Sequence, residues 1–234
     1  MKRIFISVLK SIKGLTLFER ILWAVSVSVV LASFIAAGNV DLLVLGATLF
    51  GVSALIFIAR GDVFGHILVI VFSLLYAAVS YRHAYYGEMI SYVCMSGVIA
   101  LISTISWIRH PYSEKQVKVN RPKPIAIIIA ALLTVVVTVA FYFILKWLGT
   151  ASLTFSTLSI ATSFFASSLT VLRSPYYALA YCANDIVLIV LWILASVSNP
   201  LSIPMIFCFV MFLANDVYGF INWLRMERKQ AKHK

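Results

Sequence analysis

Apolar runs long enough to cross a bilayer recur along the whole chain, separated by short polar or basic segments. They lie at residues 21–37 and about 42–59, 62–81, 88–108, 124–147, 151–172, 175–197 and 201–224. The hydrocarbon core of a bilayer takes about 20 apolar residues as a helix. Inside lipid each segment must satisfy its own backbone polar groups, which makes such runs helical. Turn-forming pairs fall at several breaks: Gly38-Asn39, Gly61-Asp62, Ser174-Pro175 and Asn199-Pro200. Of the 234 residues, 62% are hydrophobic and 12% charged, against about 25% charged in soluble domains. One aqueous core cannot hide that much apolar surface. The expected fold class is therefore all-α integral membrane, with eight transmembrane helices.

The basic residues set the orientation. All but two of the 19 lysines and arginines fall on one side if the N-terminus is inside. Lys2, Arg3, Lys10, Lys13 and Arg20 precede the first run, and Arg60 follows the second. Arg109, Lys115, Lys118, Arg121 and Lys123 lie between the fourth and fifth. Arg173 follows the sixth, and Arg225, Arg228, Lys229, Lys232 and Lys234 follow the eighth. Only Arg82 and Lys146 fall on the other side. By the positive-inside rule, both termini are expected on the cytoplasmic face of the cell membrane. Losing or adding one span would scramble the segregation. The same distribution argues against nucleic acid as partner, although the net charge is +11.

The first 20 residues read as a cytoplasmic basic segment. In it Ile4, Val8 and Ile12 share a face with Phe5 and Leu9 beside them, the pattern of a short amphipathic helix on the inner leaflet. This segment is also too far from the first span for a cleavable signal peptide.

A weak internal repeat organises the rest. Arg60-Gly61-Asp62 closes the second run and Arg173-Ser174-Pro175 the sixth. Trp107-Ile108-Arg109 ends the fourth and Trp223-Leu224-Arg225 the eighth, at a nearly equal separation. Each unit is three helices, and an odd unit needs one linker helix to restore its orientation. The expected organisation is a peripheral helix at 21–38, a first triplet at 42–109, an inverting linker at 124–148, a second triplet at 151–225 and a basic tail at 226–234. Parallel repeats of this kind are a transporter signature, with the substrate near the midplane between the halves.

Polar residues at membrane depth point to that site. Asn184 and Asp185 lie near the centre of the seventh run, and Asn215 and Asp216 in the inner half of the eighth. A charge there costs about 2.5–3.5 kcal/mol on insertion scales, so these residues are expected to face the bundle interior. The sixth run is rich in hydroxyls, including Thr162, Ser163 and Ser167. Such residues either let helices approach closely or line a polar path. Tyr176, Tyr177, Tyr181, Trp192 and Tyr218 lie nearby; Tyr181 is one turn before Asp185 and shares its face. Carboxylates and amides with aromatic faces suit a neutral or cationic small molecule that carries hydroxyls and a flat ring. An anionic nucleotide would want buried Arg or Lys, and none lies near the midplane. There is no GxxxxGK[ST] loop, no catalytic triad pattern and no HExxH. Four scattered histidines suggest no metal site, and the three cysteines sit singly in apolar runs. No enzyme, cofactor or metal is expected.

Taken together, these features resemble the PnuC family of nicotinamide riboside and vitamin-precursor transporters. The resemblance rests on Tyr76 in SLLYA, Tyr86-Gly87-Glu88-Met89 and Trp107 in the first half. In the second half it rests on Asp185 and the run Asn215-Asp216-Val217-Tyr218-Gly219-Phe220-Ile221-Asn222-Trp223. It covers roughly residues 42–226. It implies a SWEET-like 3+1+3 fold and a homotrimer. It also implies facilitated diffusion, made directional when a cytoplasmic kinase phosphorylates and traps the substrate. One departure stands out: where the family's seventh helix carries WxxW, this chain has Ala178 and Tyr181. Nicotinamide riboside is the first expectation, a deoxynucleoside or another vitamin the second, and a non-transporting scaffold the third. The expected substrate contacts are Tyr181, Asn184, Asp185, Asn215, Asp216, Tyr177, Tyr218, Ser163 and Tyr76.

Overall fold

The structure of the chain, a computed structural model, describes residues 11–38, 41–113 and 116–232. Among the described residues it is helical apart from one small hairpin. The long helices are α1 (Leu17–Ala36), α2 (Leu42–Ala59), α3 (Phe64–Arg82) and α4 (Tyr86–Arg109), followed by α5 (Pro124–Trp147), α6 (Leu153–Val171), α7 (Tyr177–Ser198) and α8 (Ile203–Ala231). Strands β1 (Pro111–Ser113) and β2 (Gln116–Val117) pair antiparallel between α4 and α5. Seven of the helices are long and apolar enough to cross a membrane, and the chain is an all-α, multi-pass membrane protein. The exception is α6. Its 19 residues span about 28 Å at 1.5 Å per residue, but its serines and threonines make it less apolar.

Local chemistry sets several helix ends. Helix α1 begins before the apolar run, because Thr16 and Glu19 form a reciprocal capping box. Asp41 caps α2 through the amides of Leu43 and Val44. Its carboxylate also meets Arg82 at 2.6 Å, which gives one of the two outlying basic residues a partner. Helix α4 is not regular: Ser91–Gly97 form a π-helical segment within it. Helix α8 does not stop near Leu224 but continues to Ala231, so residues 226–231 are helix rather than a separate tail. Of the expected amphipathic segment, Ile4, Phe5, Val8 and Leu9 lie outside the described residues.

Helices α2 and α6 end in the same way. Asp62 N–H bonds to Phe57 O at 2.9 Å and Gly61 N–H to Ile58 O at 2.8 Å. Ser174 N–H bonds to Leu169 O and Arg173 N–H to Thr170 O, both at 3.0 Å. Each is a Schellman stop, with Gly61 (φ 80°) and Arg173 (φ 57°) in the left-handed position. The matching helices also meet crosswise, α2 against α8 and α6 against α4. Gly51 makes the first crossing close: a Cβ there would run into the rings of Phe212 and Phe72. Helix α5 packs on α6 and fully buries only Ala130 and Leu145, while most of its remaining surface is exposed and apolar. Helix α1 packs on α2 and α8.

The hairpin segment lies across the basic ends of the helices. Val117 N–H bonds to Gly61 O at 3.0 Å, and Asn120 N–H to Arg173 O at 3.0 Å. Asn120 Nδ2 donates to Leu172 O at 3.1 Å. Gln230 on α8 completes the clasp, accepting from Val119 N–H at 2.8 Å and donating to Val117 O at 3.1 Å. One strap thus ties α2, α6 and the end of α8 together.

Candidate functional site

A cavity of about 60 Å³ lies between α3 and α4 on one side and α7 and α8 on the other. It is lined by His66, Val69 and Phe72 from α3 and by Tyr92, Ser96, Ile99, Ala100 and Ser103 from α4. Across from these stand Tyr177, Tyr181, Asn184 and Asp185 from α7, with Phe212 and Asp216 from α8. Leu55, Ile58 and Thr170 complete the wall. This volume holds about four waters at roughly 15 Å³ each. A nucleoside-sized molecule is larger than this, so the walls must move to admit one.

Four buried polar atoms on this wall have no hydrogen-bond partner within the protein: His66 Nε2, Ser103 Oγ, Tyr177 OH and Asp185 Oδ2. A buried polar group without a partner costs about 1–3 kcal/mol. Four around one cavity at membrane depth form a surface that a hydroxylated ligand would satisfy. Asp185 and Asp216 lie with their carboxyls in hydrogen-bonding reach of each other. Both are buried, and no Lys or Arg lines the cavity among the described residues.

The hydroxyls of α6 hold this wall in shape. Thr162 Oγ1 donates to Asn184 Oδ1 at 2.9 Å, and Ser167 Oγ pairs with Tyr181 OH at 2.8 Å. Ser159 donates to the buried carboxyl of Glu88. Others, such as Thr157 and Ser168, bond back to carbonyls of their own helix. The hydroxyls that make α6 less apolar thus fix side chains on α4 and α7.

Aromatic side chains cluster toward both ends of the cavity. Toward the end that carries Asp41 and Arg82, Tyr76 OH accepts from Trp192 Nε1 at 2.8 Å. The Tyr76 ring lies 4.2 Å from Tyr92 and 5.6 Å from Phe209. Toward the basic end, His66 packs edge-on against Trp107 at 4.2 Å, and Trp107 lies 5.2 Å from Trp223. Tyr177 stands 4.8 Å from Trp223.

Of the nine residues singled out in the sequence, the structure brings five to the cavity: Tyr177, Tyr181, Asn184, Asp185 and Asp216. Tyr76 stands behind the wall, in the aromatic cluster. Three turn elsewhere. Asn215 Nδ2 donates to Ser26 of α1 at 2.9 Å and to Met211 O at 2.7 Å. Tyr218 OH donates to Glu19 of α1 at 2.9 Å. Ser163 is buried but is not among the lining residues. Adjacent residues of a helix point about 100° apart; here Asp216 faces the cavity and Asn215 faces α1. Sequence reasoning missed His66, Tyr92, Ser96 and Ser103. A signal existed for His66, since an ionisable side chain within a membrane span marks a functional position by default.

A model of the nicotinamide mononucleotide transporters, the PnuC family, matches residues 41–225. The chain belongs to that family. The match begins at the cap of α2 and ends just after Trp223, leaving α1 and the end of α8 outside it. A curated PnuC relative, the nicotinamide riboside transporter of Neisseria mucosa, is 26% identical over 191 residues, covering 79% of this chain and 73% of the relative. A crystal structure described as the vitamin B3 transporter PnuC matches with a TM-score of 0.82 at 26% identity. That match covers 93% of this chain and 94% of the other. These PnuC relatives are transporters, not enzymes.

Proposed function

We propose that this chain carries nicotinamide riboside across the cell membrane, binding it in the cavity between the two triplets. The observation that carries the reading is the set of four unpartnered polar atoms around an aromatic-walled cavity. Nicotinamide riboside brings an amide, ribose hydroxyls and a flat ring. Asn184 and Asp185 take the ribose, His66 and Ser103 the remaining polar edge, and Tyr177 and Tyr181 the ring face. The names of the relatives support this substrate. The absence of Lys and Arg from the described wall argues for the riboside over its phosphorylated form.

In this reading all eight helices cross the membrane, α6 included, with both termini cytoplasmic. The two triplets are parallel repeats in a SWEET-like 3+1+3 order, with α5 as the inverting linker and α1 as an addition. The matching Schellman stops and crosswise helix pairing support the repeat. The exposed apolar face of α5 is available for a homotrimer. Transport is by facilitated diffusion, and a cytosolic kinase traps the product by adding a phosphate that this cavity does not accommodate.

A second reading, a deoxynucleoside carrier, is favoured by one observation. Ala178 and Tyr181 stand where the family motif has two tryptophans, and Tyr181 OH is tied to Ser167. Ligand-induced thermal stabilisation of the purified protein separates the two. Nicotinamide riboside should raise the melting temperature, and thymidine, deoxyadenosine and thiamine should not. Stabilisation by a deoxynucleoside alone would replace the first reading with the second.

A further inference from the structure

The acid pair does more than supply polar contacts. Asp185 on α7 and Asp216 on α8 are buried with their carboxyls in reach of each other, and Asp185 Oδ2 is unpartnered. The ionisable groups that face the pair are Tyr177, Tyr181 and Cys182 from α7, Cys208 from α8, Tyr92 from α4, and His66 across the cavity from α3. Glu88 lies further along α4, engaged by Ser159. Helix α6 brings hydroxyls to this region, and α2 brings apolar side chains. No fixed positive charge offsets the pair among these groups.

Two carboxylates in contact inside an apolar wall cannot both ionise, because each disfavours the charge on the other. A carboxylate with no counter-charge at membrane depth is itself costly. We propose that Asp185 and Asp216 hold one proton between them and present a single negative charge, making the cavity selective for a substrate whose flat ring carries one delocalised positive charge. This deepens the nicotinamide riboside reading and rests on it, since the pyridinium of that molecule is such a ring. The faces of Tyr92, Tyr177, Tyr181 and Phe72 add to the preference, because aromatic quadrupoles attract a delocalised cation. A neutral nucleoside of the same shape leaves the charge unmatched.

Dihydronicotinamide riboside tests this directly. It keeps the amide and the ribose but has no ring charge. Binding of both forms to the purified full chain is measured by titration calorimetry near neutral pH. The oxidised, cationic form should bind about tenfold more tightly or better. The double variant Asp185→Asn/Asp216→Asn, close in size, should bring the two affinities within about twofold, whereas either single variant keeps one carboxylate and with it the preference for the cation. Equal affinity for the two ring forms in the wild type would overturn the charge-filter proposal while leaving the riboside reading intact. Binding of neither form would overturn the riboside reading and this proposal with it.

Discussion

Trp107 and Trp223 lie ring to ring at 5.2 Å, and each donates its indole N–H to a helix end in the opposite triplet. Trp223 Nε1 bonds to Ile58 O at 3.0 Å, and Trp107 Nε1 to Thr170 O at 3.3 Å. The residue before each tryptophan does the same one carbonyl further on. Asn222 donates to Ala59 O at 2.9 Å, and Ser106 to Val171 O at 3.2 Å. Four cross-bonds therefore join α8 to the end of α2 and α4 to the end of α6, directly beneath the cavity. Helix α8 can move along the end of α2, and α4 along the end of α6, only by breaking them.

Trp107→Phe and Trp223→Phe should each lower stability by about 1 kcal/mol, the net value of one hydrogen bond. Ile58 O and Thr170 O each keep the bond from the Schellman amide, so neither is left bare. Because the rings touch, the double variant should depart from additivity. Thermal unfolding in detergent checks both statements.

Gly61 and Arg173 occupy equivalent left-handed positions, so substitutions at them should act in opposite directions. Gly61→Ala places a Cβ 2.8 Å from the Met226 methyl and strains the backbone, which should cost about 1–2 kcal/mol. Arg173→Gly relieves a non-glycine residue at positive φ and should raise stability by up to about 1 kcal/mol. The melting temperatures should move in opposite senses.

Gln230→Ala removes both bonds that hold Val117 and Val119 to α8 and leaves the Val119 amide unpartnered. The strap should open more often. Trypsin cleavage after Lys118 should accelerate several-fold, read by mass spectrometry of the fragments. In sealed vesicles that cleavage should occur only when the cytoplasmic face is outward.

Asn215→Ala should separate structural from substrate-facing amides. Asn215 joins α8 to Ser26 of α1 and faces away from the cavity. Its loss should cost about 1–3 kcal/mol of stability and leave nicotinamide riboside affinity within about twofold of wild type. Tyr181→Ala should do the reverse and weaken binding more than folding.

The apolar runs made the helices legible in the sequence, because lipid leaves the chain few alternatives. The hydroxyl run of α6 kept a helix of full length while losing apolarity, since most of its hydroxyls bond to a neighbour or to their own backbone. The seventh and eighth helices disclosed half of the cavity through Tyr181, Asp185 and Asp216, whose burial needs a polar reason. The α3 and α4 half stayed hidden. Ser96 and Ser103 look like ordinary packing residues, and Tyr92 sits in a π-helical segment that shifts side chains from their α-helical positions. The Asn215-Asp216 pair was ambiguous for a geometric reason, as sequence adjacency does not say which neighbour faces inward.

The central claim is that nicotinamide riboside crosses the membrane through the cavity walled by Asp185 and Asp216. Uptake of labelled nicotinamide riboside into liposomes that contain the purified protein tests it most directly. Saturable uptake, competed by unlabelled riboside and reduced at least about tenfold by Asp185→Asn in a variant that folds like wild type, is the predicted result. Uptake no faster than in protein-free liposomes, or saturable uptake indifferent to Asp185→Asn and Asp216→Asn alike, would contradict it.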